Sequence, residues 1–268
     1  MVKQHMGQNH RPRCRTAAGP FAAMAILAFS APCLVAQARL ETPHPEWTGQ
    51  YRIVRNAAEL GDLKPISPDL DPVVMAHLQP WARMKAEATD GVAEDTGAVC
   101  QPDGLFRYPT AQASTFLWLP TPEKIVMVYG PQQIVTTGVE RIYLNRTRHP
   151  ANLLPTWNGD SIGHWEGDTL VVDTIGFNSK SWLQVGMEPH SEETHLIQRF
   201  RRLPNGFIEI HTTIEDRVAL TSAYTWSRYY KKIGTDAPED ICADDMQIWK
   251  DWKNKALQPH LDRARIVR

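Results

Sequence analysis

The sequence predicts a mainly β fold: an antiparallel meander of about eight strands that closes as a barrel or curls into a sandwich, with short N-terminal and C-terminal helices. Three observations carry this. From Phe116 onward, short runs rich in β-branched and aromatic residues alternate with turn signals. Most of the gaps between runs have hairpin length, which is what antiparallel neighbours need. No helix-length segment alternates with the runs, as a parallel α/β sheet would require. A sheet of this size with open edges invites aggregation, so closure is expected.

Residues 1–38 read as a cleavable signal peptide. Lys3, Arg11, Arg13 and Arg15 form a basic start without an acid, and Ala22 to Val35 is apolar apart from Ser30 and Pro32. Ala36-Gln37-Ala38 then has the small-x-small pattern of a cleavage site. The apolar run is shorter than the roughly 20 residues a membrane span needs. A periplasmic or secreted protein, cleaved near Ala38, is the expectation. Cys33 raises a lipoprotein as the alternative, but Pro32 before it fits lipidation poorly.

Four of the 29 basic residues and none of the 30 acidic ones lie in this leader, so the rest of the chain carries 25 bases against 30 acids, a net charge of −5. That balance argues against nucleic acid or an anionic membrane as partner. No later segment is apolar enough to span a membrane. Cleavage leaves Cys100 and Cys242, and two cysteines in an oxidising compartment are expected to pair. Such a bridge would contribute about 4–5 kcal/mol by loop-closure entropy. Two buried free thiols are the alternative.

Residues 39–112 are expected to form an extended arm and helices packed on the barrel. Gln50 to Val54 can hold one strand. Asp71-Pro72 opens a helix through a cap and a proline at the first turn. Val74, Met75, Leu78, Trp81 and Met84 follow helical spacing, and Pro80 divides the helix in two.

Residues 113–232 are the expected barrel core. Its strands are Phe116 to Leu119, Ile125 to Tyr129, Ile134 to Thr137, Glu140 to Leu144, Ser161 to Trp165, Thr169 to Ile175, Thr194 to Leu203, Phe207 to Glu215 and Ala223 to Tyr230. Residues 233–268 carry Cys242 and an expected helix from Ile248 to Leu257.

One register can be derived. At Pro204-Asn205-Gly206, a two-residue Asn-Gly turn would place Arg201 beside Ile210. A type I turn with Pro204 first and Gly206 as the left-handed bulge residue pairs Arg201 with Glu209, Arg199 with His211, Ile197 with Thr213 and His195 with Glu215. The other face then pairs Phe200 with Ile210 and Leu196 with Ile214. Charges match on one face and apolar groups on the other, so this register is preferred. Which face points inward stays open: an apolar core with a wet charged face, or a polar ligand-holding lumen.

No standard catalytic motif is present: no His-Glu-x-x-His, no Gly-x-Ser-x-Gly, no phosphate loop and no dinucleotide fingerprint. Chemistry-bearing residues concentrate instead between Gly159 and Glu215. His190, His195, Glu192 and Asp173 are the candidate proton carriers. A carboxylate beside an imidazole fixes its tautomer and raises its basicity. A cross-strand ion pair on a solvated face is the competing reading of His195 and Glu215. Asp173, in an apolar strand, should be paired or have a raised pKa. His164, Trp165, Asn178, Trp182, Arg199 and His211 are the candidate ligand contacts. Trp157, Trp165, Trp182 and Trp226 either line an aromatic pocket or belong to the core. A divalent metal held by His164, His190, His195 and Glu192 is a further alternative.

The stretch Ser161-Ile162-Gly163-His164-Trp165-Glu166-Gly167-Asp168-Thr169-Leu170-Val171-Val172-Asp173-Thr174 resembles a widespread family of exported bacterial proteins. Pro80-Trp81-Ala82, Cys100-x-Pro102-x-Gly104, Arg141-Ile142-Tyr143-Leu144, Gly176-Phe177-Asn178, His190-Ser191-Glu192, His195 and Arg199-Phe200-Arg201-Arg202 extend the resemblance, with a late cysteine matching Cys242. It implies export and brings no particular reaction with it. The chain departs from the pattern at His164, where the family usually has arginine, and again after Tyr230.

Together these readings point to a barrel that binds a small apolar or aromatic molecule. The reaction, if there is one, is cofactor-free acid–base chemistry: hydrolysis, elimination or isomerisation. A non-catalytic carrier and a metal-dependent enzyme are the alternatives.

Overall fold

The computed structural model describes residues 42–63, 76–91, 94–96, 101–107, 115–130, 138–183 and 187–234. The leader, both cysteines of the expected bridge, the strand expected at Ile134 to Thr137 and the helix expected at Ile248 to Leu257 lie outside the described residues. Nine strands close one barrel in chain order: β1 (Gly49–Ile53), β2 (Thr115–Pro120), β3 (Lys124–Tyr129), β4 (Gly138–Tyr143), β5 (Asp160–Glu166), β6 (Thr169–Ile175), β7 (His195–Arg202), β8 (Ile208–Glu215) and β9 (Tyr224–Ile233). The expected mainly β, barrel-forming class is what the chain adopts.

Two features differ from expectation. β1 is a stave of the barrel, paired with β2 on one side and β9 on the other, rather than part of an arm laid over it. Five residues there supply the pairing that leaves no free edge. The sheet is also not wholly antiparallel: β4 and β5 run parallel and meet only at Ile142–Ser161 and Tyr143–Ile162. The connection between them is too long for a hairpin and returns the chain to the end from which β4 started, as a parallel neighbour requires, and the two strands pair at only these two positions.

Period-2 alternation decides the interior. Ile125, Met127 and Tyr129 of β3 face inward, as do Leu196 and Phe200 of β7 and Ile208, Ile210 and Ile214 of β8. Aromatic rings line the middle. Trp118 lies 5.4 Å from Phe200, and Phe116 lies 4.8 Å from Tyr230, measured between ring centroids.

The β7–β8 register is the derived one, pair for pair, from His195–Glu215 to Arg201–Glu209. Its turn closes by Gly206 N–H to the Leu203 carbonyl (2.9 Å) and Leu203 N–H to the Phe207 carbonyl (2.8 Å), with Gly206 at φ 83°. That φ is where a left-handed bulge residue must sit and where a Cβ is costly. The apolar face of this hairpin is the inner one. Phe200 is fully buried while Arg199 and Arg201 are exposed.

The helix α1 (Ala57–Leu60) covers Tyr229 and Val54 on the outside of the barrel. The helix α2 (Pro80–Ala88) begins at Pro80, whose missing N–H costs nothing at a first turn. Its docking partner is the turn after β8. The amide of Gln79 donates to the Ala219 carbonyl (2.8 Å), and the Trp81 indole donates to the Val218 carbonyl (2.7 Å). Of the helix expected before it, residues 71–75 lie outside the described residues. No helix among the described residues is long and apolar enough to cross a membrane.

Candidate functional site

The outer face of β5–β8 carries a chain of alternating carboxylates and imidazoles. Asp160 Oδ1 lies 2.8 Å from His149 Nδ1, and His149 Nε2 lies 2.8 Å from Asp173 Oδ1. Asp173 Oδ2 lies 2.7 Å from His195 Nε2, and His195 Nδ1 lies 3.5 Å from Glu215 Oε2. Arg146 closes the far end on Asp160 at 3.1 Å. The hydrogen bond from His195, ahead of burial and with help from His149, pulls the Asp173 carboxyl below its usual range. In return the Asp173 bond lifts His195 above the usual imidazole value.

Two of the expected proton carriers, Asp173 and His195, therefore do meet. Their setting is the outer face of the sheet, not the barrel interior. In β6 the inward residues are Leu170, Val172 and Thr174, so strand parity turns Asp173 outward, and its side chain is 38% exposed. His149, which joins the chain from the loop before β5, was not anticipated. Nothing in the local pattern of that loop marks it.

His190 sits elsewhere. It is 2% exposed, between the rings of Phe106 (4.8 Å) and Phe177 (6.2 Å). Its Nδ1 lies 3.0 Å from the Ser191 carbonyl, which can only accept, so Nδ1 carries the proton and Nε2 accepts from the Ser181 hydroxyl at 3.0 Å. Burial drives this imidazole down to about 4, so it stays neutral across the physiological range. Thr194 links it at 3.2 Å to Asp216, whose carboxylate also receives the amides of Ser191, Val218 and Ala219. Those bonds overcome burial and hold Asp216 below its usual value. The cluster ties the 176–194 loop to the turn after β8.

The remaining expected residues are dispersed. Glu192 is exposed. His164 is exposed and faces Glu166 at 3.2 Å, and Glu166 also takes Arg199 at 2.6 Å. Trp165 packs with His44 and Trp47. Trp182 lies under the Arg107 guanidinium at 5.1 Å. The side-chain Oδ1 of Asn178 accepts from the Lys180 amide (3.3 Å), and His211 Nδ1 lies 3.0 Å from the Ser227 hydroxyl. Among the described residues no group of three or more His, Cys, Asp or Glu could hold a metal ion. The set His164, His190, His195 and Glu192 is split between a solvated strand face, an enclosed loop and the outer chain, which removes the geometry a shared ion needs.

The seam between β4 and β5 holds a group that sequence reasoning missed. Beyond their two paired positions a cleft of about 340 Å³ opens, lined in part by Pro102, Glu140, Trp157, Asn158, Asp160 and Ser161. Glu140 is an inward residue of β4 and is 1% exposed. Its Oε2 accepts from the Tyr129 hydroxyl at 2.8 Å and its Oε1 from the Ser161 hydroxyl at 3.1 Å, which in turn receives Thr174 Oγ1 at 2.9 Å. Burial outweighs these bonds and pushes the carboxyl up to about 7. Asn158 donates to the Val139 carbonyl at 3.2 Å, while its own Oδ1 is buried without a partner among the described residues. The sequence did hold a signal. Glu140 has the same parity as Ile142, so a strand with Ile142 inward carries that carboxylate inward too.

No family model and no curated protein matches the chain. Among solved structures, wild-type fluorescent protein UnaG aligns with 70% of this chain and 98% of its own at 10% identity and a TM-score of 0.31. One variant of that protein covers 71% of this chain and 98% of its own at 10% identity and a TM-score of 0.31. A second covers 70% and 96% at 12% identity and a TM-score of 0.30. A likeness at this level carries no argument about ligand or reaction.

Proposed function

We propose that this protein is an exported β-barrel that binds a small, largely apolar or aromatic molecule and moves a proton on it, with Glu140 as the acid–base group. The reading rests on one observation: a wholly enclosed carboxyl bordering a cleft, raised to about 7 by burial. A group whose pKa lies near the working pH is present in both protonation states and transfers protons with the least mismatch. Tyr129 and Ser161 hold the carboxyl in place, and the oxygen of Asn158 offers an unused acceptor to a bound molecule. Chemistry of this kind runs on side chains alone. The basic, then apolar, then small-x-small start of the chain supports export to the periplasm or beyond, with a Cys100–Cys242 bridge formed there.

The test is a pH–rate profile on the full-length secreted protein. Aryl esters and enolisable aryl ketones are offered, with hydrolysis and α-proton exchange in heavy water followed by NMR. Turnover should show a limb near pH 7 that Glu140→Gln abolishes and Glu140→Asp moves. A Glu140→Gln enzyme with the wild-type profile would end the proposal. So would an infrared titration showing Glu140 already ionised at pH 5.5.

A further inference from the structure

The barrel interior contains a row of polar side chains that the cleft does not use. Gln198 on β7 stands directly opposite Thr212 on β8, and Thr212 stands directly opposite Trp226 on β9. All three point inward and are buried: 1%, 2% and 1% exposed. Each carries a side-chain atom shielded from solvent with no hydrogen-bond partner among the described residues: Gln198 Oε1, Thr212 Oγ1 and Trp226 Nε1. Protein interiors satisfy the great majority of such atoms, and an unpaired one asks for an explanation. Three unpaired atoms at directly opposed positions of neighbouring strands share one explanation more simply than three.

Their chemistry defines what fits. The indole Nε1–H can only donate, the Gln198 carbonyl oxygen can only accept, and the Thr212 hydroxyl can do either. A partner must therefore accept from Trp226 and donate to Gln198. A hydroxyl does both with one atom, and a primary amide with two. The same face of the three strands supplies Leu196, Phe200, Ile210, Ile214 and Tyr224, which are buried and largely apolar, and one buried cation, Arg228, opposite Ile210.

We infer that Gln198, Thr212 and Trp226 form a recognition row for the polar head of an apolar or aromatic molecule bearing a hydroxyl or amide. This rests on the small-molecule part of the proposed function and is independent of proton transfer at Glu140. The apolar body of the molecule lies among the aromatic side chains, and its one polar group partners the three unpaired atoms together.

The test uses matched pairs of probes on the full-length protein. Phenol, cyclohexanol and 2-naphthol are each compared with the methyl-bearing hydrocarbon of the same shape: toluene, methylcyclohexane and 2-methylnaphthalene. Affinities come from calorimetry. Contact is read from the indole N–H resonance of Trp226, assigned by its loss in Trp226→Phe. At least one alcohol or phenol should bind tenfold or more tightly than its hydrocarbon twin and shift that resonance. Thr212→Val should erase the preference and melt at or above the wild-type temperature, because it removes an unpaired hydroxyl. Equal affinity within every pair would overturn the row as the recognising element while leaving a binding barrel intact. Binding that leaves the Trp226 resonance in place, or no binding by any probe, would overturn it too. A lower melting temperature for Thr212→Val would do the same, since it would show the hydroxyl already satisfied by trapped water. None of these outcomes alters the pH–rate limb expected of Glu140.

Discussion

Replacing Glu140 by glutamine should make stability less sensitive to pH, and the size of the effect follows from the structure. Burial lifts this carboxyl from its ordinary value of 4.5 to about 7. Between those limits the unfolded chain has released the proton and the folded protein has kept it. The unfolded state then binds fewer protons, so stability falls as pH rises. Above 7 both states are ionised and the contribution is flat. Each unit of difference corresponds to about 1.4 kcal/mol, so an enclosed group of this kind costs the fold about 3 kcal/mol between pH 4.5 and 8. The amide of Glu140→Gln is neutral throughout, and its oxygen can still accept from Tyr129 or Ser161. Urea unfolding of both proteins across that range gives a difference curve in which the contributions of other titrating groups cancel. The variant should be no more stable than wild type near pH 4.5 and gain on it by about 3 kcal/mol by pH 8. A difference that does not change with pH would refute the reasoning, because it would mean Glu140 titrates alike in the folded and unfolded states.

Two further outcomes test other parts of the structure. Asp173→Asn removes the acceptor that raises His195, so NMR titration of the His195 ring should give a lower pKa than in wild type. The His195 contribution is complete below about 6.5 and disappears as pH rises through its folded value, while that of Asp173 exists above about 3.8 and disappears as pH falls through its own. The pair thus acts between those limits, and with both side chains about one-third exposed its removal should cost less than about 1 kcal/mol at pH 5.5. An unmoved His195 titration would refute the assigned contact. Arg107→Met removes the cation in contact with two buried carboxylates, Asp95 and Asp103, and should destabilise by about 3–5 kcal/mol in chemical unfolding. A loss below about 1 kcal/mol would show that other donors hold those carboxylates.

The amino-acid sequence by itself determined the local and the periodic. Strand positions followed from alternation and turn chemistry, because both depend on residues a few places apart. The β7–β8 register was legible because Pro204 and Gly206 permit one turn geometry, and that geometry must match charge to charge on one face and Phe200 to Ile210 on the other. The pairing of His195 with Glu215 came with it. What the sequence left open was every decision made by closure. Both faces of a hairpin can be buried in principle, and only completion of the ring by β1 puts Phe200 inside and Arg199 outside. The same closure turned Asp173 outward, brought His149 to it from 24 residues away and sent His190 into a different cluster. The site at Glu140 exists because β4 and β5 run parallel and part after two residue pairs. No local pattern encodes that splay. It is the gap left where a long connection, rather than a tight turn, joins neighbouring staves.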